Sequence, residues 1–379
     1  MRHHQEYIKG DSPGAQFTLP IYEFGQAKKG PKIYLQAGMH ADEHPGMLVL
    51  HHLMDLLEKA EKENQLAAHF VILPVVNPLG LTHITHHHHY GRYHLTNGLN
   101  YNRGWPDFAQ ILASQDGFAD GLCQDAEANQ AYVRSLISQW LTSSSPVTAL
   151  ENHRHIVMSY CFDADMVLDL HCDDVALNHL YIVPQNLPRY QGLADRMGSQ
   201  ATLTAENSGG GSFDEVWTGL WIELQSRFPD VPWPAPVLST TLEYRGQADV
   251  FDDISSQDAQ GLFDFFCDEG LITKAPSTPL VPSVPPTDLA ACEVLRVSQA
   301  GLIAYHVKLG DEVKTGDVIA DLILLDGSHP ARERVPIKAG TDGIIFSMMA
   351  SKYVWPGTSI AKIAGQQKLA SRGAYLLED

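Results

Sequence analysis

The chain has 379 residues, of which 45 are acidic and 26 basic, so its formal net charge is −19. Hydrophobic residues make up 44% of it, which excludes a disordered chain, and no apolar run reaches the roughly 18 residues that would span a membrane. Neither nucleic acid nor a membrane is expected as a partner, and at about 150 residues per domain the length predicts two or three domains.

Apolar segments alternate between strand and helix patterns up to residue 275. In chain order they predict a strand over residues 32–37, a helix over 47–57, a strand over 70–76, a helix over 126–141, strands over 166–170, 180–183 and 237–242, and a helix near 262–266. This alternation predicts an α/β domain over residues 1–275, with a mixed sheet flanked by helices. Functional side chains are expected at the carboxyl ends of the strands.

The rest of the chain changes character. Residues 276–290 form a predicted linker, because its first eleven residues contain five prolines. Residues 291–379 carry short strand patterns separated by Gly-Asp turns, which predict an all-β module. The spacing of these turns resembles the barrel-sandwich fold of biotinyl and lipoyl carrier domains. Carriers need a lysine at an exposed hairpin tip, and residues 323–336 contain none, so we expect a structural module through which the chain could form a homo-oligomer.

The first candidate site follows the strand pattern that ends at residue 37. His40 and Glu43 could supply two zinc ligands, whereas the run His40-x-x-Glu43-His44 also matches the inverzincin pattern, in which both histidines bind metal and the glutamate is the base. The second interpretation requires a helix over residues 40–44. Pro45 disfavours helical torsions at His44 and suits the first helical position. We therefore expect a loop over residues 40–44, a helix from Pro45, and His40 with Glu43 as ligands.

A third ligand is expected from His171, which follows the apolar strand pattern 166–170. Two imidazoles and one carboxylate leave a fourth coordination position open, as in catalytic zinc sites, so one Zn²⁺ per chain is predicted. Asp169 or a backbone carbonyl could orient the imidazole through its other nitrogen.

Two arginines and a glutamate could complete a reaction centre. Of Arg92 and Arg103, one could stabilise an oxyanion and the other could clamp the carboxylate of a small anionic substrate. Glu243 follows the strand pattern 237–242 and could be a general base that takes a proton from water. Alternatively, Glu243 forms an ion pair with Arg245.

The order and surroundings of these motifs resemble the succinylglutamate desuccinylase/aspartoacylase family, a branch of the zinc carboxypeptidase superfamily. The resemblance extends from about residue 32 to residue 246. It implies that the zinc ligands are His40, Glu43 and His171.

The same resemblance implies roles for four other residues. Glu243 would activate water and then protonate the leaving amine, and Arg92 would polarise the scissile carbonyl. Asn102 and Arg103 would hold the substrate carboxylate. The attached C-terminal β module is also a feature of many members of the family.

The sequence departs from the family pattern near the expected substrate pocket. Tyr101 and Trp105 are expected to reshape that pocket. Asp173 and Asp174 follow the third ligand, which could favour a substrate bearing an amine or discourage dicarboxylates. The expected function is hydrolysis of the amide, or ester, bond of a small N-acyl amino acid. The alternatives are a zinc carboxypeptidase acting on short peptides and a non-catalytic zinc- or ligand-binding protein.

Three further features predict no chemistry. The histidine run 86–89 is expected to form a solvated lid segment, and the glycine run 209–211 a flexible turn, since it lacks phosphate-loop spacing. The five cysteines form no C-x-x-C pair and no secretory signal is visible, which predicts reduced thiols and a cytoplasmic protein.

Overall fold

The computed structural model describes residues 1–325, 334–373 and 376. The helices are α1 (Pro45–Lys62), α2 (Phe108–Ala113), α3 (Ala126–Ser143), α4 (Ala149–Cys161), α5 (Leu187–Met197), α6 (Phe213–Arg227) and α7 (Asp252–Asp268). The strands up to the predicted linker are β1 (Arg2–Lys9), β2 (Gln16–Phe24), β3 (Lys32–Ala37), β4 (His69–Leu73), β5 (Ile84–Thr85), β6 (His88–His89), β7 (Met166–Asp173), β8 (Val175–Ala176), β9 (His179–Ile182), β10 (Ala201–Thr204) and β11 (Leu238–Gly246). The remaining strands are β12 (Thr287–Asp288), β13 (Cys292–Arg296), β14 (Gly301–Tyr305), β15 (Glu312–Val313), β16 (Val318–Leu324), β17 (Val335–Lys338), β18 (Gly343–Met348), β19 (Tyr353–Val354) and β20 (Ser359–Gly365).

One large sheet organises the first part of the chain, with the strand order β1-β2-β4-β3-β7-β11-β9-β10-β12. Its centre is parallel, since β3 pairs in parallel with β4 and β7, and β7 with β11. β9 runs antiparallel to β11, which makes the sheet mixed. The predicted α/β fold with a mixed sheet flanked by helices is therefore confirmed.

The two faces of the sheet bury separate cores because side chains alternate along each strand. On β7, Leu168 and Leu170 pack in one core with Leu53 of α1. Val167 points to the opposite core, which also contains Trp217 of α6. The central strands are thus covered by helices on both sides, as parallel strands require.

Most predicted elements are close to their observed bounds, with two corrections. β4 ends at Leu73 rather than at residue 76, because Pro74 follows and has no amide N–H to donate to a neighbouring strand. α1 begins at Pro45, as expected, and the preceding residues form a loop. However, His44 adopts helical torsions (φ −88°, ψ −25°). The expectation that Pro45 disfavours them was wrong for His44, whose carbonyl accepts the first helical hydrogen bond, from Met47 N at 3.0 Å.

The C-terminal module consists of two antiparallel sheets, β13-β20-β18-β15 and β17-β16-β14-β19, which enclose a separate apolar core. It is joined to the large domain by pairing of β8 with β18. Within the predicted linker, β12 adds to the edge of the large sheet beside β10. The absence of a carrier lysine was argued for the hairpin tip at residues 323–336. Most of these residues lie outside the described part of the chain.

Two further observations concern the cysteines and membrane-spanning helices. The five cysteines are free thiols. In the part of the chain that the structure describes, no helix combines the length and apolar character needed to cross a membrane.

Candidate active site

Three buried side chains meet at the carboxyl ends of β3 and β7. The ligand atoms of His40, Glu43 and His171 lie within 4.8 Å of one another. Glu43 lies between the two imidazoles, with Oε1 2.8 Å from His40 Nδ1 and Oε2 2.7 Å from His171 Nδ1. The structure thus brings together the three residues that the sequence analysis assigned as ligands.

The topology explains this convergence. His40 and Glu43 lie in the loop between β3 and α1, and His171 lies near the end of β7. β3 and β7 are adjacent parallel strands, with Ala37 paired to Leu170. Side chains that follow the two strands therefore meet at the same edge of the sheet.

The outer nitrogen of each imidazole has an acceptor of its own. His40 Nε2 lies 2.9 Å from Asn100 Oδ1, which also accepts a hydrogen bond from Asn102 N. His171 Nε2 lies 3.0 Å from Asp169 Oδ2. Asp169 and His171 are two residues apart and share a face of β7, so a carboxylate rather than a carbonyl orients this imidazole. Protons on the two Nε2 atoms leave both Nδ1 atoms as donors towards a shared metal.

Burial and neighbouring charges determine the charge of each group in the cluster. Burial and the nearby Arg92 guanidinium lower the pKa of His40 to about 4, so its imidazole is neutral. Burial also disfavours a charged His171, but the carboxylates of Asp169 and Glu43 outweigh it and hold the His171 pKa well above its usual value. For Glu43, burial raises the pKa, and the two imidazoles more than offset this and keep it well below normal. Two buried carboxylates therefore hold positive charge at His171.

Arg92 reaches the same centre from a neighbouring loop. Its Nη1 lies 3.2 Å from both Glu43 Oε1 and His40 Nδ1. The preceding Gly91 fixes this position, since its carbonyl accepts a hydrogen bond from Ala41 N at 3.0 Å. A Cβ at Gly91 would lie only 2.2 Å from Asp42 N. Only glycine therefore allows the arginine loop to approach the ligand loop so closely.

Asn102 and Arg103 form an adjacent wall. Asn102 Oδ1 accepts a hydrogen bond from Phe213 N at 2.8 Å, and its Nδ2 lies 3.5 Å from His171 Nε2. Arg103 donates to the Asn102 carbonyl at 2.9 Å. A Cβ at Gly210, where φ is +85°, would lie 2.9 Å from Arg103 Cδ. Gly210 thus packs closely against Arg103, and the flexibility expected of the glycine run 209–211 stays a prediction.

Glu243 lies on β11 directly beside His171 in the register of the parallel pair. Its Oε2 is buried and has no hydrogen-bond partner among the described residues. Burial and the nearby Glu43 carboxylate raise the Glu243 pKa to about 8. Arg245 instead donates to Asn178 Oδ1 at 3.0 Å and pairs with Asp258, so the alternative pairing of Glu243 with Arg245 is wrong.

The seven residues that were predicted to bind metal, bind substrate or take part in catalysis all face a single cavity. The cavity is lined by His40, Glu43, Arg92, Asn102, Arg103, His171 and Glu243. One cavity thus combines a donor cluster, a carboxyl group with a raised pKa and two guanidinium groups.

Two aromatic side chains expected to reshape this cavity do not line it. Tyr101 and Trp105 are 1% and 5% exposed and belong to the core beneath it, where Trp105 packs edge-on against Phe213. The histidine run 86–89 forms the β5–β6 hairpin, whose turn residues His86 and His87 have positive φ and are exposed. Its role as a lid stays a prediction.

Sequence reasoning missed several groups at the cavity. Asn100 could have been found, because it lies in the same short run as Asn102 and Arg103. Asp214, in the first turn of α6, lines the inner end of the cavity. Lys362 arrives from β20 of the C-terminal module and pairs with Asp173 at 2.6 Å. No local pattern predicts such a long-range contact.

Comparison with known proteins identifies the family. Residues 29–216 match the model of the succinylglutamate desuccinylase/aspartoacylase catalytic domain. No curated protein sequence matches the chain detectably. Among solved structures, a succinylglutamate desuccinylase/aspartoacylase family protein from Shewanella amazonensis is 25% identical, with a TM-score of 0.78 over 96% of this chain and 98% of that one.

Two further structures share the fold. A protein of the same family from Shewanella frigidimarina is 23% identical, with a TM-score of 0.80 over 96% of this chain and 97% of that one. The ectoine utilization protein EutE (DoeB) from Ruegeria pomeroyi is 15% identical, with a TM-score of 0.66 over 96% of this chain and 95% of that one. The chain therefore belongs to the succinylglutamate desuccinylase/aspartoacylase family of hydrolases.

Proposed function

We propose that the chain is a zinc-dependent hydrolase that cleaves the amide bond of a small N-acyl amino acid. The observation that carries the proposal is the single cavity in which a His-Glu-His donor cluster, Glu243 and two arginines face one another. Family membership supports the hydrolytic reaction class.

The donor set fits a zinc ion. His40, Glu43 and His171 supply two nitrogen donors and a carboxylate, and the pairing of each Nε2 leaves both Nδ1 atoms directed towards Glu43. Three protein ligands are the number that catalytic zinc sites use. When bound, zinc supplies Lewis acidity, which lowers the pKa of water and polarises a carbonyl oxygen.

The substrate carboxylate is proposed to bind Arg103 and the Asn102 amide. The hydrogen bond from Phe213 N fixes the orientation of Asn102 and leaves its amide nitrogen turned towards His171. A carboxylate held here would place an amide two bonds away beside the donor cluster. Arg92 would then donate a hydrogen bond to the carbonyl oxygen as negative charge develops on it.

Glu243 is proposed to move the proton. Its partner-free Oε2 can accept a proton from the attacking water and later transfer it to the departing nitrogen. The raised pKa of Glu243 suits this exchange near neutral pH, and a cation held by Glu43 would lower that pKa by cancelling the nearby negative charge.

The shape of the cavity favours small substrates over peptides. Lys362 and Leu289, which both follow the large domain in the chain, line the same cavity as the donor cluster. Such a wall leaves little room for a peptide extending away from the scissile bond. The alternative function, that of a carboxypeptidase acting on short peptides, therefore has less support. The cytoplasmic location and a homo-oligomer formed through the C-terminal module stay predictions.

Metal analysis and a substrate panel test the proposal. The purified chain should contain about one zinc per molecule and hydrolyse N-acyl amino acids faster than short peptides with the same C-terminal residue. Release of C-terminal residues from peptides only would favour the carboxypeptidase. Stoichiometric zinc without turnover on amides and esters would favour a non-catalytic binding protein.

A further inference from the structure

The cavity that contains the donor cluster is also lined by the first turn of α6. Asp214 lines it there, although the residue is only 8% exposed. Its Oδ1 accepts a hydrogen bond from Ser212 Oγ at 2.7 Å. Within the described residues, Asp214 forms no ion pair with a lysine or arginine. A buried carboxylate of this kind is costly unless a positive partner is available.

The other acidic groups of the cavity are already accounted for. Glu43 belongs to the donor cluster, Glu243 is the proposed base, and Asp173 pairs with Lys362. Glu215 accepts a hydrogen bond from Ser208 N at 2.6 Å and lies in the field of Arg103. Asp214 is therefore the acid left to meet a ligand.

An unpaired hydroxyl lies close to Asp214. Ser239 is 3% exposed and lines the cavity, and in the described part of the chain its Oγ has no hydrogen-bond partner. It is close to the Asp214 face of α6, since Thr218, one turn beyond Asp214, accepts a hydrogen bond from Ser239 N at 3.2 Å. A buried hydroxyl normally finds a partner, so this one points to a polar ligand group.

We propose that Asp214 and Ser239 form an ammonium subsite, which binds a positively charged amino group at the end of the side chain on the amino-acid half of the substrate. An ammonium group has three donors, which the two carboxylate oxygens and the hydroxyl can accept. This inference rests on the proposed function.

The surroundings of the ammonium subsite fit an alkyl stem. The apolar residues lining the same cavity are Ile182, Val183, Leu203, Ala205 and Leu289. The proposed carboxylate site is adjacent, because Asn102 Oδ1 binds Phe213 N, the amide that immediately precedes Asp214. An amino acid held by its carboxylate at Asn102 can therefore extend its side chain along the apolar wall to Asp214.

Burial of the subsite makes it selective. Burial and the neighbouring Asp169 raise the pKa of Asp214 above its usual value, so the free carboxylate gains from a cation placed beside it. A side-chain carboxylate in the same place would be repelled. The preference for an amine that was expected from Asp173 and Asp174 is thus assigned to Asp214.

Kinetics on matched substrates test the subsite with the zinc-loaded full chain. The panel is Nα-acetyl-L-lysine and Nα-acetyl-L-ornithine (cationic), Nα-acetyl-L-norleucine (neutral) and Nα-acetyl-L-glutamate (anionic). The better cationic substrate should exceed the norleucine derivative in kcat/KM by about 10-fold or more, and the glutamate derivative should be the poorest. Asp214→Asn should lower kcat/KM for the cationic substrate by about 30-fold, mainly through KM, and change the norleucine value less than about 3-fold.

Glu223→Gln is the matched control, because Glu223 lies on the same helix, pairs with Arg227 and does not line the cavity. It should leave all four rates unchanged. If the wild type prefers norleucine or glutamate derivatives, or if Asp214→Asn slows cationic and neutral substrates equally, the ammonium subsite is wrong while the proposed function stands. Failure of the wild type on all four substrates overturns both.

Discussion

Asp169 provides a test of the proposed metal site. It is fully buried on β7, and its Oδ2 lies 3.0 Å from His171 Nε2, on the side of the ring that faces away from Glu43. Asp169→Asn keeps an oxygen that can accept the Nε2 proton but removes the negative charge. The imidazole then becomes a weaker donor to a cation at Nδ1.

The expected loss can be bounded. Unit charges about 4 Å apart attract by about 4 kcal/mol at an effective dielectric constant of 20, and the hydrogen bond that asparagine retains preserves part of this. Substitution of such an outer partner typically weakens metal affinity by about 10- to 100-fold, or about 1.4–2.7 kcal/mol. The metal-free variant should be less stable than wild type, because the Asp169 carboxylate pairs with the buried positive charge at His171.

Competition with a chromophoric zinc chelator measures the affinity, and denaturant unfolding of the metal-free proteins measures stability. Asp55→Asn on the exposed face of α1 is the matched control and should change neither quantity. Zinc affinity of Asp169→Asn within about twofold of wild type would contradict the assigned orientation of His171. A loss of stability together with unchanged zinc affinity would assign Asp169 a purely structural role.

Four further predictions follow from the geometry. Glu243→Gln should lower kcat by about 10²- to 10⁴-fold with zinc content unchanged, and wild-type turnover would exclude Glu243 as the base. Removal of zinc with a chelator should abolish activity. Zinc added back at about 100 times its Kd should restore activity and raise the free energy of unfolding by about 2.7 kcal/mol. A melting temperature that does not depend on zinc would contradict the metal site. Gly91→Ala should lower the free energy of unfolding by about 1–3 kcal/mol in denaturant and impair turnover, because the added Cβ would clash with the Asp42 backbone. Wild-type stability and turnover would show that the arginine loop and the ligand loop are not tightly packed. Lys362→Met should lower the free energy of unfolding by about 1–3 kcal/mol at pH 7, with a smaller difference below about pH 4.

The sequence predicts the centre of the large sheet better than its edges. Strands β3, β7 and β11 are apolar because both faces are covered by helices, which makes them visible as continuous apolar runs. The edge strand β1 is mostly exposed and carries charged and histidine side chains, so it shows no such run. Its existence depends on pairing with β2, a contact that local patterning does not encode.

A similar division applies to the candidate site. His40, Glu43 and His171 follow recognisable strand ends, so their residue types and positions were sufficient to group them. Asn100 and Asp214 contribute through loop geometry and the approach of α6, neither of which leaves a periodic signal. Residues that orient a ligand side chain or select the substrate are therefore harder to predict than the proposed metal ligands themselves.

The contact of Lys362 with Asp173 shows why a distant module can matter to the site strand. Asp173 lies two residues after His171, and its Oδ2 accepts hydrogen bonds from Lys362 Nζ at 2.6 Å and Ser347 Oγ at 2.8 Å. The two charged side chains are 18% and 19% exposed, so the loss on removing one lies between the roughly 0–1 kcal/mol of surface pairs and the 3–5 kcal/mol of buried ones.

The pH dependence identifies the cause of that loss. Burial raises the pKa of Asp173, but Lys362 outweighs it and holds that pKa well below its ordinary value. A carboxyl group whose pKa is lowered on folding adds stability above its unfolded pKa of about 4, and this stability is lost as the pH falls. The gap between wild type and Lys362→Met should therefore be full at pH 7 and shrink towards pH 3 in urea unfolding. A gap that stays constant over this range would mean that Lys362 stabilises the strand by packing its alkyl chain, and that the charge of Asp173 plays no part in holding the C-terminal module against the site.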